Sequence, residues 1–549
     1  MPFPPVRFGR GLCFQLALAA IIVQASWAAS AQSIDAPRSP LADAIGQLLS
    51  GEAKSLPLPV RQEQAALQSY YVDAGGRPIW RTPVRMRGLV SALRAADQEG
   101  LEPSVYPTAH LVRLAGIAGF GGYESAAQVE LYFSAIFLRF ARDMKVGRFL
   151  PTKIDPNLYW QKKEIDPVRA LELMAEAPDM QSFITQWQPG ILDYAKLKSV
   201  LAAYRDVEAA GGWPAVPHVD VIKPGEENPA VVAVHARLEL TDEQLHGARD
   251  RESPVYDDVL VGAVKRFQHQ HGLEADGVIG KRTIFAMNIP VADRIQQIIV
   301  TMERWRWMPE DLGPSHIRVN IAGYELRRVR NGQLEELMRV VVGKPYHQTP
   351  VFSDEIEHLE FNPYWNVPYS IAVNEELPKL KTNPAARAAR GFEAVVDGRG
   401  VSLTSINWST MSRSNFPVRL RQKPGPDNAL GRVKFMFPNQ FNVDMHDTPA
   451  RSLFGRAERA FSHGCIRLAR PIDLAEQVLA EIPGWDRSRI DAVLNSQERT
   501  VVRLSSKLPV HLTYATVWVA PDGSVQFRPD IYNRDAKLEK ALLGRHTGS

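Results

Sequence analysis

The chain has 549 residues, with 65 Lys or Arg, 61 Asp or Glu and a net charge of +4. Charge this close to neutral argues against a nucleic-acid-binding protein, and a hydrophobic content of 45% argues against an intrinsically disordered one. The length predicts about two to four domains.

Residues 1–31 have the features of a secretory signal peptide. Arg7 and Arg10 precede an apolar run, residues 12–23, and Ala-Ser-Ala at 29–31 supplies a cleavage pattern. The run is shorter than the roughly 20 residues that a membrane span needs. We therefore predict export with cleavage after Ala31, and an uncleaved anchor is the alternative. No later stretch is predicted to span a membrane.

Changes of periodicity predict a multidomain α+β protein. Residues 84–96 and 129–146 repeat apolar residues every three or four positions, which is typical of buried helices. From Ile317 onwards the apolar residues alternate instead, which indicates strands. The polar tail from Asp535 is expected to be mobile. The predicted segments are 1–31 signal peptide, 32–60 lead-in, 61–228 helical scaffold domain, 229–290 three-helix module, 291–314 linker helix, 315–505 mostly β catalytic domain, and 506–549 closing strands and tail.

The module at 229–290 resembles the peptidoglycan-binding type-1 domain. The resemblance rests on the runs 264–268, 272–273 and 276–280 (Asp-Gly-Val-Ile-Gly). It implies a three-helix fold that docks cell-wall glycan or stem peptide; a helical spacer that no longer binds is the alternative. His269 and His271 lie two apart on a predicted helix and do not share a face, so we expect surface residues rather than metal ligands. No metal or cofactor is predicted.

An insertion interrupts the β domain at residues 375–425. Its first part is predicted to be partly helical, broken at Pro378 and Pro384, and Asp-Gly-Arg-Gly at 397–400 predicts a turn. An insertion of this length is often a lid or a binding loop. A purely structural excursion is the alternative.

Cys465 is the candidate nucleophile. The chain has two cysteines, and the other, Cys13, lies in the predicted signal peptide, so the exported protein would keep one unpaired thiol. Exported chains usually carry paired cysteines, so a lone thiol beside His463 and Gly464 indicates a use for it. A thiol with an ordinary pKa of about 8.5 is mostly protonated at neutral pH and needs a base. An imidazole can take its proton and, as a cation, stabilise the thiolate.

Two histidines are candidates for that base. His446 ends a predicted strand nineteen residues before Cys465, and a neighbouring strand end could bring it to the thiol. His463 is nearer in sequence, and strand alternation does not exclude it, because residues two apart share a face. Backbone N–H groups at 463–465 are the predicted oxyanion donors, with Gly464 allowing close approach. A backbone carbonyl is expected to orient the imidazole.

These residues resemble the catalytic motif of the L,D-transpeptidases. The matching runs are 446–449 (His-Asp-Thr-Pro) and 462–468 (Ser-His-Gly-Cys-Ile-Arg-Leu), at the spacing of that family. The stretches 361–368, 421–425 and 428–431 further resemble its large periplasmic branch. With the scaffold and the module, the resemblance covers most of residues 60–535.

The resemblance implies a periplasmic, cell-wall-associated acyltransferase that forms 3→3 cross-links. Cys465 would attack the third residue of a tetrapeptide stem, D-alanine would leave, and the side-chain amine of a second stem would resolve the acyl-enzyme. The family match assigns the base to His446 and the oxyanion region to His463 and Gly464. Many members carry glycine after the first histidine, where this chain has Asp447; we expect the large branch to tolerate it.

Several further residues are candidates for substrate binding. Ser462 and Arg467 belong to the motif, and Arg467 is expected either to organise the loop or to meet a substrate carboxylate. Tyr364, Trp365 and Trp408 could line the substrate groove, although an aromatic core is the alternative for them. We expect a monomer whose partners are peptidoglycan glycan and stem peptides, and a carbapenem target with a role in cell shape.

Two other functions are alternatives for a chain with these residues. Hydrolysis of the same acyl-enzyme would make the protein an L,D-carboxypeptidase. A vestigial β domain behind the module would make it a non-catalytic cell-wall anchoring protein. The intact His446 and Cys465 argue against the second of these.

Overall fold

A computed structural model describes residues 39–117, 121–248 and 250–544. The predicted signal peptide and Cys13 lie outside these ranges. The predicted fold class is confirmed, because a helical region, a small helical module and a mostly β domain with an insertion follow one another along the chain. Of the helices in the described ranges, none combines the length and the apolar character that a bilayer crossing requires.

The N-terminal region packs short helices around one long helix, whose apolar side chains are buried on nearly every face. Proline at the first turn starts several of them, because the missing N–H would have no partner there. The helices are α1 Pro40–Ser50, α2 Leu58–Gln62, α3 Gln64–Gln68, α4 Pro83–Arg94, α5 Thr108–Ile117, α6 Gly122–Val146, α7 Pro151–Ile154, α8 Pro167–Glu176, α9 Met180–Trp187 and α10 Leu192–Ala209.

The module has three helices and a two-stranded ribbon. Gln268 holds its glycine loop: its amide donates to the carbonyl of Val278 and accepts from the N–H of Gly277. The expectation that His271 is a surface residue is wrong, because its ring stacks between Phe267 and Phe527. The elements are β1 Val221–Ile222, α11 Ala230–Glu239, α12 Asp258–Gln270, β2 Ile279–Gly280 and α13 Lys281–Met287.

Helix α14 (Val291–Trp307) does more than link two domains. It packs against α10 and is buried along most of its length. Its Glu303 and Arg306 are fully buried and paired at 2.9 Å, and Glu303 also accepts a hydrogen bond from the backbone N–H of Arg148 in the helical region. One apolar core therefore runs from α10 through α14 into the β domain.

The β domain is built on a barrel. Strands β5, β14, β12, β11, β6, β15, β3 and β4 neighbour each other in that order, β4 returns to β5, and β13 extends the sheet beside β5. The strands are β3 His316–Asn320, β4 Glu325–Arg330, β5 Gln333–Gly343, β6 Phe352–Phe361, β7 Trp365–Asn366, β8 Phe392–Val396, β9 Arg399–Val401, β10 Arg419–Gln422, β11 Val433–Met436, β12 Met445–His446, β13 Ala460–Ser462, β14 Ile466–Leu468, β15 Thr500–Thr513, β16 Val517–Val519 and β17 Val525–Phe527.

The insertion is a separate subdomain with its own apolar core. Its sheet has the order β7, β10, β8, β9, and Trp408 is buried in its core. The subdomain begins earlier than the predicted residue 375, because β7 belongs to this sheet and Ala372 and Val373 belong to this core. The expectation of a mobile tail is wrong for residues 535–544, because Arg534–Gly544 forms a helix whose Leu538 and Leu542 are buried. Residues 545–549 of that predicted tail lie outside the described ranges. The remaining helices are α15 Tyr369–Ile371, α16 Leu377–Thr382, α17 Pro384–Ala389, α18 Pro471–Leu479, α19 Arg487–Ser496 and α20 Arg534–Gly544.

Candidate active site

Parallel pairing of two short strands brings His446 and Cys465 together. Strand β12 lies beside β14, with Met445 opposite Ile466 and His446 opposite Arg467. Cys465 immediately precedes β14, so the thiol and the imidazole emerge at neighbouring positions. A ring nitrogen of His446 lies within 4.8 Å of the sulfur of Cys465. Nucleophile and base candidates from two sequence segments thus form one site.

The imidazole of His446 is held by a backbone carbonyl, as the sequence predicts. Its Nδ1 lies 2.5 Å from the carbonyl oxygen of Asp447. A carbonyl only accepts hydrogen bonds, so Nδ1 carries the proton and Nε2 keeps its lone pair. His446 is buried, and burial lowers its pKa, an effect that the nearby carboxylate of Asp444 opposes. The ring is therefore neutral at pH 7 and able to accept a proton.

The surroundings of Cys465 disfavour ionisation of its thiol. The side chain is partly exposed and unpaired. The surrounding protein raises its pKa well above the ordinary value, first by desolvation and then through the negative charge of Asp444. These surroundings favour the thiol over the thiolate while no substrate is bound, and the thiolate–imidazolium pair expected from the sequence stays a prediction.

Asp444 belongs to this site, and the sequence analysis did not select it. Asp444 lies two residues before His446. One of its carboxylate oxygens lies within 4.8 Å of both a ring nitrogen of His446 and the sulfur of Cys465. One carboxylate oxygen pairs with the ammonium of Lys434 at 2.6 Å, and the other is buried without a partner among the described residues. A carboxylate, an imidazole and a thiol could also bind a metal, but the ammonium on Asp444 disfavours a divalent cation there.

The loop of residues 462–465 has a conformation that requires glycine. Gly464 has φ +117°, in the region that L side chains rarely adopt. Ser462 is buried, and its hydroxyl donates to the carbonyl of Cys465 and accepts from the N–H of Gly464 at 3.1 Å. Ser462 therefore shapes the loop, and its role in substrate binding stays a prediction. Of the three predicted oxyanion donors, the N–H of Gly464 is therefore taken up by Ser462, whereas those of His463 and Cys465 have no acceptor among the described residues and stay candidates.

A buried network supports this loop from behind, and the sequence analysis missed it. The hydroxyl of Thr349 donates to the carbonyl of Gly464 at 2.8 Å and accepts from the N–H of Gly343 at 3.0 Å. The hydroxyl of Tyr532 donates to the carbonyl of Gly343 at 2.5 Å. Since Tyr532 comes from the C-terminal segment, the last part of the chain helps to position the motif.

His463 faces the insertion. Its Nε2 lies 2.6 Å from a carboxylate oxygen of Glu375, and its ring packs on that of His347 with centroids 4.7 Å apart. This placement favours His446 over His463 as the base. It also shows that the insertion reaches the catalytic motif, which chain order alone did not reveal.

The other candidates divide into two groups. Arg467 and Trp365 line one cavity beside the reacting pair. Tyr364 does not line that cavity. Its ring packs against the guanidinium of Arg421, whose central carbon lies 4.5 Å from the ring centroid. Trp408 is buried in the core of the insertion, as the structural alternative predicts.

Asp447, which replaces the more usual glycine, supports the backbone around the base. Its carboxylate accepts hydrogen bonds from the N–H of Thr448 at 2.7 Å and of Arg432 at 2.9 Å. A side chain at Gly431 would collide with this carboxylate. With aspartate rather than glycine at position 447, the backbone carbonyl of this residue still contacts Nδ1 of His446.

Comparison with known families matches three parts of the chain. Residues 314–503 match the L,D-transpeptidase catalytic domain, residues 229–287 match a "Putative peptidoglycan binding domain", and residues 65–201 match a scaffold domain. A "Putative L,D-transpeptidase" of Haemophilus influenzae is 36% identical over 250 residues, which are 45% of this chain and 50% of that protein. The chain thus spans about half the length of this curated relative.

A solved structure was also matched. The crystal structure of the L,D-transpeptidase (residues 123–326) from Xylanimonas cellulosilytica is 12% identical and covers 54% of this chain and 99% of its own. Its TM-score is 0.15, so the match carries no argument about fold or function.

Proposed function

We propose that this chain is a cysteine acyltransferase that forms 3→3 cross-links in peptidoglycan, because residues 314–503 match the L,D-transpeptidase catalytic domain and residues 229–287 match a peptidoglycan-binding domain. The observation that carries the proposal is the distance of at most 4.8 Å between a ring nitrogen of His446 and the sulfur of Cys465. The expected place of action is the periplasm, in cell-wall biogenesis. Export would depend on residues 1–31.

The proposed reaction proceeds through one acyl-enzyme. Nε2 of His446 takes the thiol proton as the sulfur attacks the carbonyl carbon of the third stem residue, a diamino acid. The N–H groups of His463 and Cys465 stabilise the oxyanion. The C–N bond breaks, and the proton on His446 passes to the departing amine of D-alanine. The side-chain amine of a second stem then attacks the thioester carbonyl carbon and gives a proton to His446. The C–S bond breaks, and His446 returns this proton to the departing sulfur, which restores the thiol of Cys465.

Product analysis tests the proposal. Purified protein incubated with disaccharide tetrapeptide is expected to yield a cross-linked dimer with loss of D-alanine, measured by mass spectrometry. Tripeptide monomer without dimer would indicate the L,D-carboxypeptidase alternative. Cys465→Ala should abolish both products and also the mass adduct that a carbapenem forms. Full cross-linking by Cys465→Ala would exclude this mechanism, and inactivity of the wild type would favour the anchoring alternative.

We also propose that the insertion is a lid over the site. Two observations support this proposal: it has an apolar core of its own, and its Glu375 contacts His463 of the catalytic motif. A subdomain with its own core can move as a unit while the barrel stays folded. Deletion of residues 375–425 is expected to weaken acyl transfer without unfolding the barrel. Unchanged kinetics after this deletion would exclude the lid.

A further inference from the structure

A small cavity lies between the insertion and the barrel, next to the reacting pair. Its volume is about 220 Å³. Drug-sized ligands occupy pockets of about 300–1,000 Å³, so this cavity suits one terminal residue rather than a whole peptide. Its wall includes Phe392 and Arg390 of the insertion, Trp365 of strand β7, and Thr448 and Arg467 of the barrel domain.

Strand pairing places part of the cavity wall close to the candidate nucleophile and base. Arg467 is two residues after Cys465 and lies opposite His446 in the pairing of β12 with β14. Thr448, which also lines the cavity, follows His446 by two residues, just beyond the end of β12. Two positions along an extended chain span about 7 Å, so a donor peptide whose scissile carbonyl meets Cys465 is long enough to place its next residue in this cavity.

The lining of the cavity has an excess of positive charge. Its cations are Lys379, Arg387, Arg390 and Arg467, and its carboxylates are Glu376 and Asp427. The carboxylate of Glu376 forms salt bridges with Lys379, at 2.9 Å, and with Arg387. Within the described ranges, Arg390 and Arg467 pair with no carboxylate.

Arg467 carries the strongest sign of a missing anion. Its Nε is buried and has no hydrogen-bond partner among the described residues. The residue as a whole is partly exposed, so an anion that enters the cavity can reach the guanidinium and supply the missing partner. Arginine is suited to that role, because its planar fork binds a carboxylate with two parallel hydrogen bonds.

We propose that this cavity binds the terminal carboxylate of the donor tetrapeptide, with Arg467 as the principal ligand and Arg390 as a second cation from the insertion. The inference rests on the proposed function, because it names the group next to the bond that Cys465 would attack. It predicts a preference for a donor whose leaving residue is C-terminal. It also gives the insertion a role in donor recognition, since Arg390 reaches the cavity only from that subdomain.

Three synthetic tetrapeptides test this proposal: the free acid, the amide of the terminal D-alanine, and a peptide amidated on the side-chain carboxylate of the diamino acid. The readout is the rate of acyl-enzyme formation on Cys465, followed by mass spectrometry. The wild type is expected to react about ten- to a hundred-fold faster with the free acid than with the terminal amide, as befits loss of charge-assisted hydrogen bonds. Side-chain amidation is expected to have a smaller effect.

Arg390→Gln is the main variant, because this exposed side chain can change without disturbing the barrel. It should reduce the preference for the free acid several-fold, and Arg467→Lys should reduce it further. Arg399→Gln, an exposed arginine of the insertion outside the cavity, is the matched control and should keep the wild-type preference. Equal rates with the free acid and the terminal amide would overturn the proposal, as would a larger effect of side-chain amidation. Failure of every peptide to acylate Cys465 would instead contradict the proposed function.

Discussion

Replacement of Asp444 by asparagine is expected to make the thiol of Cys465 easier to ionise. The carboxylate raises the pKa of both Cys465 and His446, because its negative charge disfavours the thiolate and favours the imidazolium. Asparagine has nearly the same shape and removes only the charge. Both pKa values should therefore fall in the variant.

The size of the shift follows from the distance. At the upper bound of 4.8 Å, Coulomb's law gives about 0.9 kcal/mol at a dielectric constant of about 80 and about 3.5 kcal/mol at about 20. One pKa unit corresponds to about 1.36 kcal/mol, so the limits are about 0.6 and 2.5 units. The ammonium of Lys434 lies 2.6 Å from Asp444 and cancels part of the effect. We therefore expect a shift of about one unit.

The rate of alkylation by iodoacetamide, measured across a range of pH, reports the pKa of the Cys465 thiol directly. In Asp444→Asn the midpoint of the rate profile should move about one unit towards lower pH. The optimum of kcat/KM should move in the same direction, because a neutral imidazole limits its acid side and a protonated thiol its alkaline side.

Lys434→Met is the matched counterpart of this variant. Removal of the positive charge, which lowers the pKa of both groups, should move the alkylation midpoint towards higher pH. An unchanged midpoint in Asp444→Asn, or shifts of the two variants in the same direction, would refute the electrostatic account of this site.

Four further predictions concern the loop, the base, the insertion and the C-terminal helix. Gly464→Ala should cost about 1–3 kcal/mol of stability in urea unfolding, because φ +117° strains any residue with a Cβ; an unchanged midpoint would contradict this. His446→Gln should reduce acylation of Cys465 far more than His463→Gln does, and the reverse order would exchange their roles. Glu375→Gln should weaken the contact with His463 and raise the KM for the donor with little change in the urea midpoint, whereas lost stability would mark it as structural. Leu538→Ala, at a fully buried position of α20, should cost about 2–5 kcal/mol; a loss below about 0.5 kcal/mol would show that the helix does not pack as described.

Local sequence patterns were sufficient to predict several helices and strands and to select Cys465 as the candidate nucleophile. The alternation at Ile317, Val319 and Ile321 predicts the strand that the structure has at His316–Asn320. The long apolar repeat at 129–146 belongs to the buried helix Gly122–Val146. Cys465 stands out because it is the one cysteine beyond residues 1–31 and lies in a characteristic motif. These properties depend on side-chain type and local spacing, which are visible in the printed sequence.

Only the tertiary structure decided which groups meet the thiol. The parallel pairing of β12 with β14 brings His446 to Cys465, and the insertion directs His463 towards Glu375, 88 residues away in the chain. The charge of Asp444 and the support from Tyr532 also arise from packing between distant segments. Strand register and long-range packing set these distances, and neither is encoded in the propensity of any single stretch. The amino-acid sequence therefore determined which reactive groups are present, and the fold determined which charges and hydrogen-bond partners surround them.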